Sequence, residues 1–137
     1  MGACWQSIMD AVKISKSQQF QHENKTWSRS IDFFKQENNF LKTRLSEVVD
    51  QKTEKDFLAL AEHFQNRFIV KDEFMDELKH DINVQDRMLK ENISAVINSM
   101  NDRLAKKQDK LRNEMEYLEK DFAQLKNEFN KYLATVL

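Results

Sequence analysis

Apolar residues in the C-terminal part of the chain recur at alternating steps of four and three. Nine of the ten positions in this series are apolar or aromatic: Leu104, Gln108, Leu111, Met115, Leu118, Phe122, Leu125, Phe129, Tyr132 and Val136. This spacing places the side chains on one face of a helix. Charged residues between them, such as Arg112 and Glu116, can pair one turn apart. The pattern predicts a helix over residues 103–136 with one buried face.

A second series has the same spacing in the first third of the chain. Its members are Phe20, Asn24, Trp27, Ile31, Phe34, Asn38, Leu41, Leu45 and Val48. Phe33 and Phe40 lie seven residues apart on a flanking line, which indicates a helix that contacts two neighbours. Asn38 interrupts the apolar line. We expect it to make a polar contact that fixes the register of the helices, or to bind water, rather than a ligand.

A third series occupies the middle of the chain. It comprises Phe57, Ala61, Phe64, Phe68, Lys71, Met75, Leu78 and Ile82. Only Lys71 interrupts it, and the aliphatic part of a lysine side chain can lie along apolar surface. The segment before this series, residues 50–53, predicts a turn, with Thr53 as the N-cap of the following helix.

The spacing becomes irregular beyond Ile82, where residues 83–87 are mostly polar. The apolar line resumes at Leu89 with a shift, which indicates either a stutter or a break near Asn83. A second candidate break lies at residues 99–102. If only the second break is real, the helices span residues 5–49, 54–99 and 103–136. If the first is also real, the chain has four helices.

Composition supports an all-α fold. The chain has no proline and a single glycine, Gly2, so the residues that form tight turns and bound strands are almost absent. Ten phenylalanines and two tryptophans favour a core wider than that of a two-stranded coiled coil, which is the alternative architecture. We therefore predict an antiparallel bundle of three or four long amphipathic helices with coiled-coil-like packing. Residues 1–19 are expected to dock loosely, and residues 20–137 to form a single bundle domain.

Charge and cysteine content exclude several classes of function. With 22 basic and 23 acidic residues and no block of like charge, the chain has no electrostatic footprint for nucleic acid or for an anionic membrane. Its single cysteine, Cys4, cannot form an intramolecular disulfide. There is no apolar run of the length that spans a membrane and no secretory signal. We therefore expect a cytoplasmic protein.

Motifs that carry catalytic chemistry are missing. There is no glycine-rich phosphate loop, nucleophile elbow or CxxC pair, so we expect no catalytic residue, no cofactor and no enzymatic activity. The one candidate metal site is a polar stripe that contains His63, Glu77 and His80, with Glu37 or Glu47 from another helix. Glu77 and His80 form a Glu-x-x-His pair, which di-iron bundles use in duplicate. The chain has it once, and a solvated helix face explains the stripe as well.

Part of the chain resembles a group of small helical bacterial proteins that have no assigned function. The resemblance covers residues 22–82. It is carried by the segment from Trp27 to Leu45-Ser46-Glu47-Val48 and by residues 62–68 and 78–82, whose sequences are EHFQNRF and LKHDI. It implies a bacterial cytosolic protein and transfers no functional residue.

The function that these features favour is non-enzymatic. We expect a helical protein–protein interaction or scaffolding module that self-associates, with Phe33, Phe40 and Phe74 as its interaction face. The same rings could instead fill the core of the monomer. The alternatives are a metal-binding bundle that uses His63, Glu77 and His80, and a regulator that holds a partner's amphipathic helix in an open groove.

Overall fold

Three long helices make up the part of the chain that the structure, a computed structural model, describes: residues 2–51, 54–91 and 102–137. We name them α1 (Gly2–Val49), α2 (Lys55–Glu91) and α3 (Asp102–Val136). No strand occurs within these ranges. The fold is therefore all-α, with helices packed against one another, as the sequence predicts.

The helix ends match the sequence pattern where they can be compared. After α1, the backbone N–H of Asp50 donates to the carbonyl of Ser46, and Gln51 donates to Val48, both at 3.1 Å. These bonds satisfy two of the carbonyls at the end of the helix. The predicted cap Thr53 and the predicted break at residues 99–102 lie outside the described residues, apart from Asp102, where α3 begins.

The break considered near Asn83 is wrong, because α2 continues to Glu91 without interruption. The buried positions of α2 run on from Ile82 through Gln85 to Leu89, which keeps the alternation of three and four. Gln85 is a polar member of the buried line, and its polarity made the apolar pattern look shifted. The choice between three and four helices now depends on residues 92–101, which the structure does not describe.

The helices contribute to two compact units. The first unit comprises Met1–Arg29 and Leu78–Met115. Its buried residues include Leu89 and Leu104, against which Phe20 packs. Buried polar residues, among them Asn24, Gln85 and Gln108, occupy the positions that apolar side chains would otherwise fill.

The second unit comprises Ser30–Glu77 and Glu116–Leu137, and its core is rich in aromatic rings. Phe57 stacks on Tyr132 at a ring separation of 5.4 Å, and Phe129 meets Phe64 and Phe68 edge to face at 5.4 and 5.1 Å. Within this unit, Lys35 of α1 bonds to Asp76 of α2, and Asn38 of α1 bonds to Phe68 of α2. Residue numbers therefore rise along α1 as they fall along α2, so these helices are antiparallel. The same holds for α2 and α3.

The N-terminal turns of α1 differ from the rest of the helix. Trp5, Ile8 and Met9 are exposed, whereas Ser17 is the first residue of α1 whose side chain is described as buried. The helix itself is continuous from Gly2 through residues 19 and 20. The division of the chain into residues 1–19 and 20–137 stays a prediction.

Candidate functional site

Two phenylalanines on α1 are exposed to solvent. Phe33 is 57% exposed and Phe40 is 67% exposed, although both lie in the middle of a long helix. Beside them is a groove of about 470 Å³ between α1 and α3, which the two rings line together with Gln36, Glu37, Leu41, Lys126 and Asn130. We call these residues the Phe33–Phe40 face.

Phe33 and Phe40 are on one side of α1 because they are seven residues apart, which is two turns of helix and about 10.5 Å of rise. Glu37 and Lys126 form an ion pair at 2.8 Å across the groove. These two charges therefore neutralise each other within one chain. Large apolar side chains that are exposed together mark a candidate interaction surface.

The third predicted member of the interaction face, Phe74, belongs to a different surface. It is half-buried on α2 and meets Tyr117 of α3 edge to face at 5.7 Å. The ammonium of Lys71 lies 5.7 Å from the Phe74 ring and 5.5 Å from the Tyr117 ring. Phe74 is thus occupied by contacts within its own unit. Its role in binding a partner stays a prediction.

The structure does not bring the three candidate metal ligands together at one point. His63, Glu77 and His80 are all exposed on α2. Because α2 is an uninterrupted helix, His63 and Glu77 are about 21 Å apart along its axis, too far to share one ion. Within the described residues there is no group of three or more histidine, cysteine, aspartate or glutamate side chains that could hold a metal.

The glutamates proposed as additional ligands have other neighbours. Glu37 pairs with Lys126, and Glu47 lies 3.9 Å from Arg44 on the same helix. His63 stands edge-on to Phe64 at a ring separation of 5.7 Å. A metal-binding function stays a prediction that this arrangement does not support.

A relay of side-chain amides crosses the first unit. Gln85 donates to the side-chain oxygen of Gln108 at 3.3 Å, and Gln108 donates to that of Asn24 at 2.8 Å. Asn24 donates in turn to Asp86 at 3.5 Å. Gln85 also donates to the carbonyl of Leu104 at 2.8 Å. We call these groups the amide relay, which joins all three helices through buried hydrogen bonds.

Charged side chains bind to the amide relay at Gln108. Gln108 also donates to Glu23 at 2.9 Å, and Arg112 binds both oxygens of Glu23 at 2.7 and 2.9 Å. The hydrogen bonds that Arg112 donates to Glu23 raise the pKa of Arg112 above its usual value. Arg112 lies 5.9 Å from the Trp27 ring and pairs with Asp109. Among the described residues, Arg112 therefore pairs with Glu23 and Asp109, rather than with Glu116 as the sequence predicted.

A second buried polar group lies in the other unit. Asn38 is fully buried, and its amide nitrogen donates to the Phe68 carbonyl at 3.0 Å and to Asp72 at 2.8 Å. Among the described residues, its side-chain oxygen has no hydrogen-bond partner. The expected polar contact between helices is confirmed. Lys71 is buried except for 7% of its surface and reaches Asp121, as its predicted path along apolar surface allows.

Another groove, of about 500 Å³, lies between α1 and α2 in the second unit. Its apolar lining comprises Leu45, Val49, Leu58, Ala61 and Ile69. Leu58 and Ile69 are 39% and 43% exposed. The helix-sequestering hypothesis requires an open groove of this kind, and that function stays a prediction.

Comparison with known proteins adds no assignment. No protein-family model matches the chain, and the searches of curated proteins and of solved structures also find no match. Among the described helices, none is long and apolar enough to cross a membrane. The likeness to small helical bacterial proteins stays an expectation from the sequence.

Proposed function

We propose that this protein is a non-enzymatic helical module that binds other protein through the Phe33–Phe40 face. The observation that carries the proposal is the exposure of two large rings, at 57% and 67%, on one side of a continuous helix. Aromatic side chains are common anchors of protein interfaces because they bury much surface while losing little rotamer entropy. We further propose that it acts in the cytoplasm.

The remaining chemistry supports a structural module. The strong polar contacts are directed inward, from one helix to another, as in the amide relay and in the bonds of Asn38. Such groups hold helices in register and leave the outer faces to make contacts. The candidate metal ligands on α2 are dispersed, so binding through a helix face is better supported than metal chemistry.

The proposal is tested by photo-cross-linking in the cells that make the protein. A benzophenone amino acid is introduced at position 40 and, as a control, at Val70, which is 61% exposed on α2. We expect protein adducts from position 40 that the control position does not give. Equal yields at both positions, or none at position 40, would contradict a binding role for the Phe33–Phe40 face.

A further inference from the structure

The part of α1 that belongs to the first unit differs in its buried residues from the part that belongs to the second. Residues 17–29, which we call the strap, contain two apolar side chains, Phe20 and Trp27, and both are half-buried. The buried positions of the strap are Ser17 and Asn24, which are 3% and 1% exposed. In the second unit, the same helix buries four apolar side chains: Ile31, Leu41, Leu45 and Val48.

Hydrogen bonds and an ion pair attach the strap to α2 and α3. Asn24 accepts from Gln108 at 2.8 Å and donates to Asp86 at 3.5 Å. Glu23 accepts two hydrogen bonds from Arg112, and the two side chains are 29% and 36% exposed. When the strap leaves, water replaces these partners, so each bond contributes little net free energy to docking. A partly exposed ion pair also contributes little.

Within the described residues, two rings supply the apolar contacts of the strap. Phe20 packs against the buried pair Leu89 and Leu104. Trp27 lies 5.9 Å from the guanidinium of Arg112. Apolar contacts stabilise a docked helix in proportion to the area that they remove from water. Two half-buried rings therefore contribute less to docking of the strap than four buried side chains contribute to docking of the following part of α1.

The composition of the strap also favours unwinding once it is undocked. Most helical stability in proteins comes from packing, so a segment that loses its packing is marginally helical in water. Seven of the thirteen residues of the strap are weak helix formers: Ser17, Phe20, His22, Asn24, Thr26, Trp27 and Ser28. Undocking and unwinding of the strap should therefore occur together.

We propose that the strap is a detachable part of the bundle, which undocks and unwinds while the second unit stays folded. In the closed form, Phe20 of the strap covers Leu89 of α2 and Leu104 of α3. In the open form, these two apolar side chains and the amides of the relay become accessible. The open form is a minority under native conditions, but it is at least about tenfold more frequent than the unfolded chain. The proposed binding role of the Phe33–Phe40 face does not depend on this device.

Hydrogen exchange of the full chain under native conditions tests the proposal. Each amide rate is divided by its intrinsic rate, and the strap is compared with residues 36–48, a segment of equal length in α1. We expect protection in the strap to be lower by at least about tenfold. Equal protection of the two segments would overturn the proposal.

Two matched variants separate undocking of the strap from unfolding of the whole chain. Phe20 and Phe34 are both half-buried on α1, and Phe34 meets Phe122 edge to face at 5.6 Å. Phe34→Ala weakens the second unit, so it should speed exchange of residues 36–48 by about tenfold and change that of the strap by less than about twofold. Phe20→Ala weakens the closed form relative to both the open and the unfolded forms, so it should speed exchange in both segments.

The result that contradicts the proposal is equal acceleration of the two segments by Phe34→Ala. In that case the strap opens only when the whole chain unfolds. Circular dichroism of both variants checks that the helices persist.

Thiol labelling separates undocking from fraying of a helix end. In a Cys4→Ser background, Leu89→Cys places a thiol beneath the strap, two residues before the end of α2. The matched control Val48→Cys lies one residue before the end of α1, and both native side chains are buried. The thiol at position 89 should react with a maleimide at least about tenfold faster than the thiol at position 48, and faster still when Phe20→Ala is added.

Equal labelling rates at positions 89 and 48 would show that exchange in the strap does not uncover α2, and the proposal would fail. Leu104→Cys, at the other side chain that Phe20 contacts, repeats the measurement if Leu89→Cys does not fold. Slow labelling at both covered positions, beside a well-folded control, likewise overturns the detachable strap.

Discussion

Gln108 shows how a single polar residue can be held inside the helical core. It is fully buried and donates to Asn24 and Glu23, while its oxygen accepts from Gln85. A buried amide with partners contributes little net stability, but an orphaned partner costs its full desolvation penalty. Replacing one residue of the amide relay should therefore lower the free energy of unfolding much more than replacing all of its amides together.

The first prediction concerns that difference. Gln108→Leu should lower the free energy of unfolding by about 2 kcal/mol, because the buried side-chain oxygen of Asn24 loses its donor. The triple variant Asn24→Leu/Gln85→Leu/Gln108→Leu removes the whole set of amides and should restore stability to within about 1 kcal/mol of the wild type. Urea unfolding followed by circular dichroism measures both. If the triple variant is less stable than the single variant, the hydrogen bonds of the amide relay contribute more to stability than desolvation of these amides costs.

A second prediction concerns Tyr132. Its buried hydroxyl donates to the Phe57 carbonyl at 3.0 Å, and burial raises its pKa above the usual value. The unfolded chain therefore loses this proton at lower pH than the folded chain does, so stability falls as the pH rises past about 10. Tyr132→Phe should cost about 1 kcal/mol at neutral pH and lose less stability than the wild type on going to alkaline pH. A parallel decline in the two proteins would contradict this.

The residue scale also shows what the sequence could and could not predict. Asn38 and Lys71 stood out as polar residues within apolar lines, and both make the buried contacts that this position implies. Gln85 was also a polar residue in line with apolar ones, four residues before Leu89 and three after Ile82, but its polar neighbours Asn83, Asp86 and Arg87 obscured this position. The partner of Arg112 was beyond sequence reasoning, because Glu23 is 89 residues away and meets it only through packing of the helices.

At the scale of the helix, local spacing predicted most of the architecture. Periodicity with a period near 3.6 residues depends only on neighbours along the chain, so the turn after Val49 and the start of α3 were predictable to within about two residues. Which outer face binds a partner depends on what the neighbouring helices leave uncovered. For that reason Phe74, grouped with Phe33 and Phe40 by its ring, turned out to pack on Tyr117.

The third prediction uses the continuity of α2. Asn83 is exposed within the helix, so Asn83→Ala should raise the free energy of unfolding by about 0.5 kcal/mol, since alanine has the higher helix propensity. An N-cap would behave in the opposite way, with a loss of about 1 kcal/mol. Chemical denaturation of the two proteins decides the sign. Arg87→Ala, at another exposed position of α2, serves as the matched control and should change stability only slightly.

In the whole molecule, the exposed rings of the Phe33–Phe40 face and the buried rings of the core should contribute differently to the free energy of unfolding. The fourth prediction is that Phe33→Gln/Phe40→Gln leaves the free energy of unfolding of the dilute monomer within about 0.5 kcal/mol of the wild type, because both rings are largely exposed. In contrast, Phe68→Ala removes a fully buried ring and should cost about 3–5 kcal/mol. Urea titration at low micromolar protein concentration compares the three chains. A large loss in the double variant would mean that the rings support the monomer.

Tryptophan and tyrosine are divided between the two compact units, so each unit has its own spectroscopic probe. Both tryptophans, Trp5 and Trp27, belong to the first compact unit, and both tyrosines, Tyr117 and Tyr132, belong to the second. Indole fluorescence therefore reports on one unit, and the near-ultraviolet dichroism of the phenol groups reports on the other. Since every helix contributes to both units, we expect the two signals to change at the same urea concentration, whereas separate midpoints would reveal two independently folding parts.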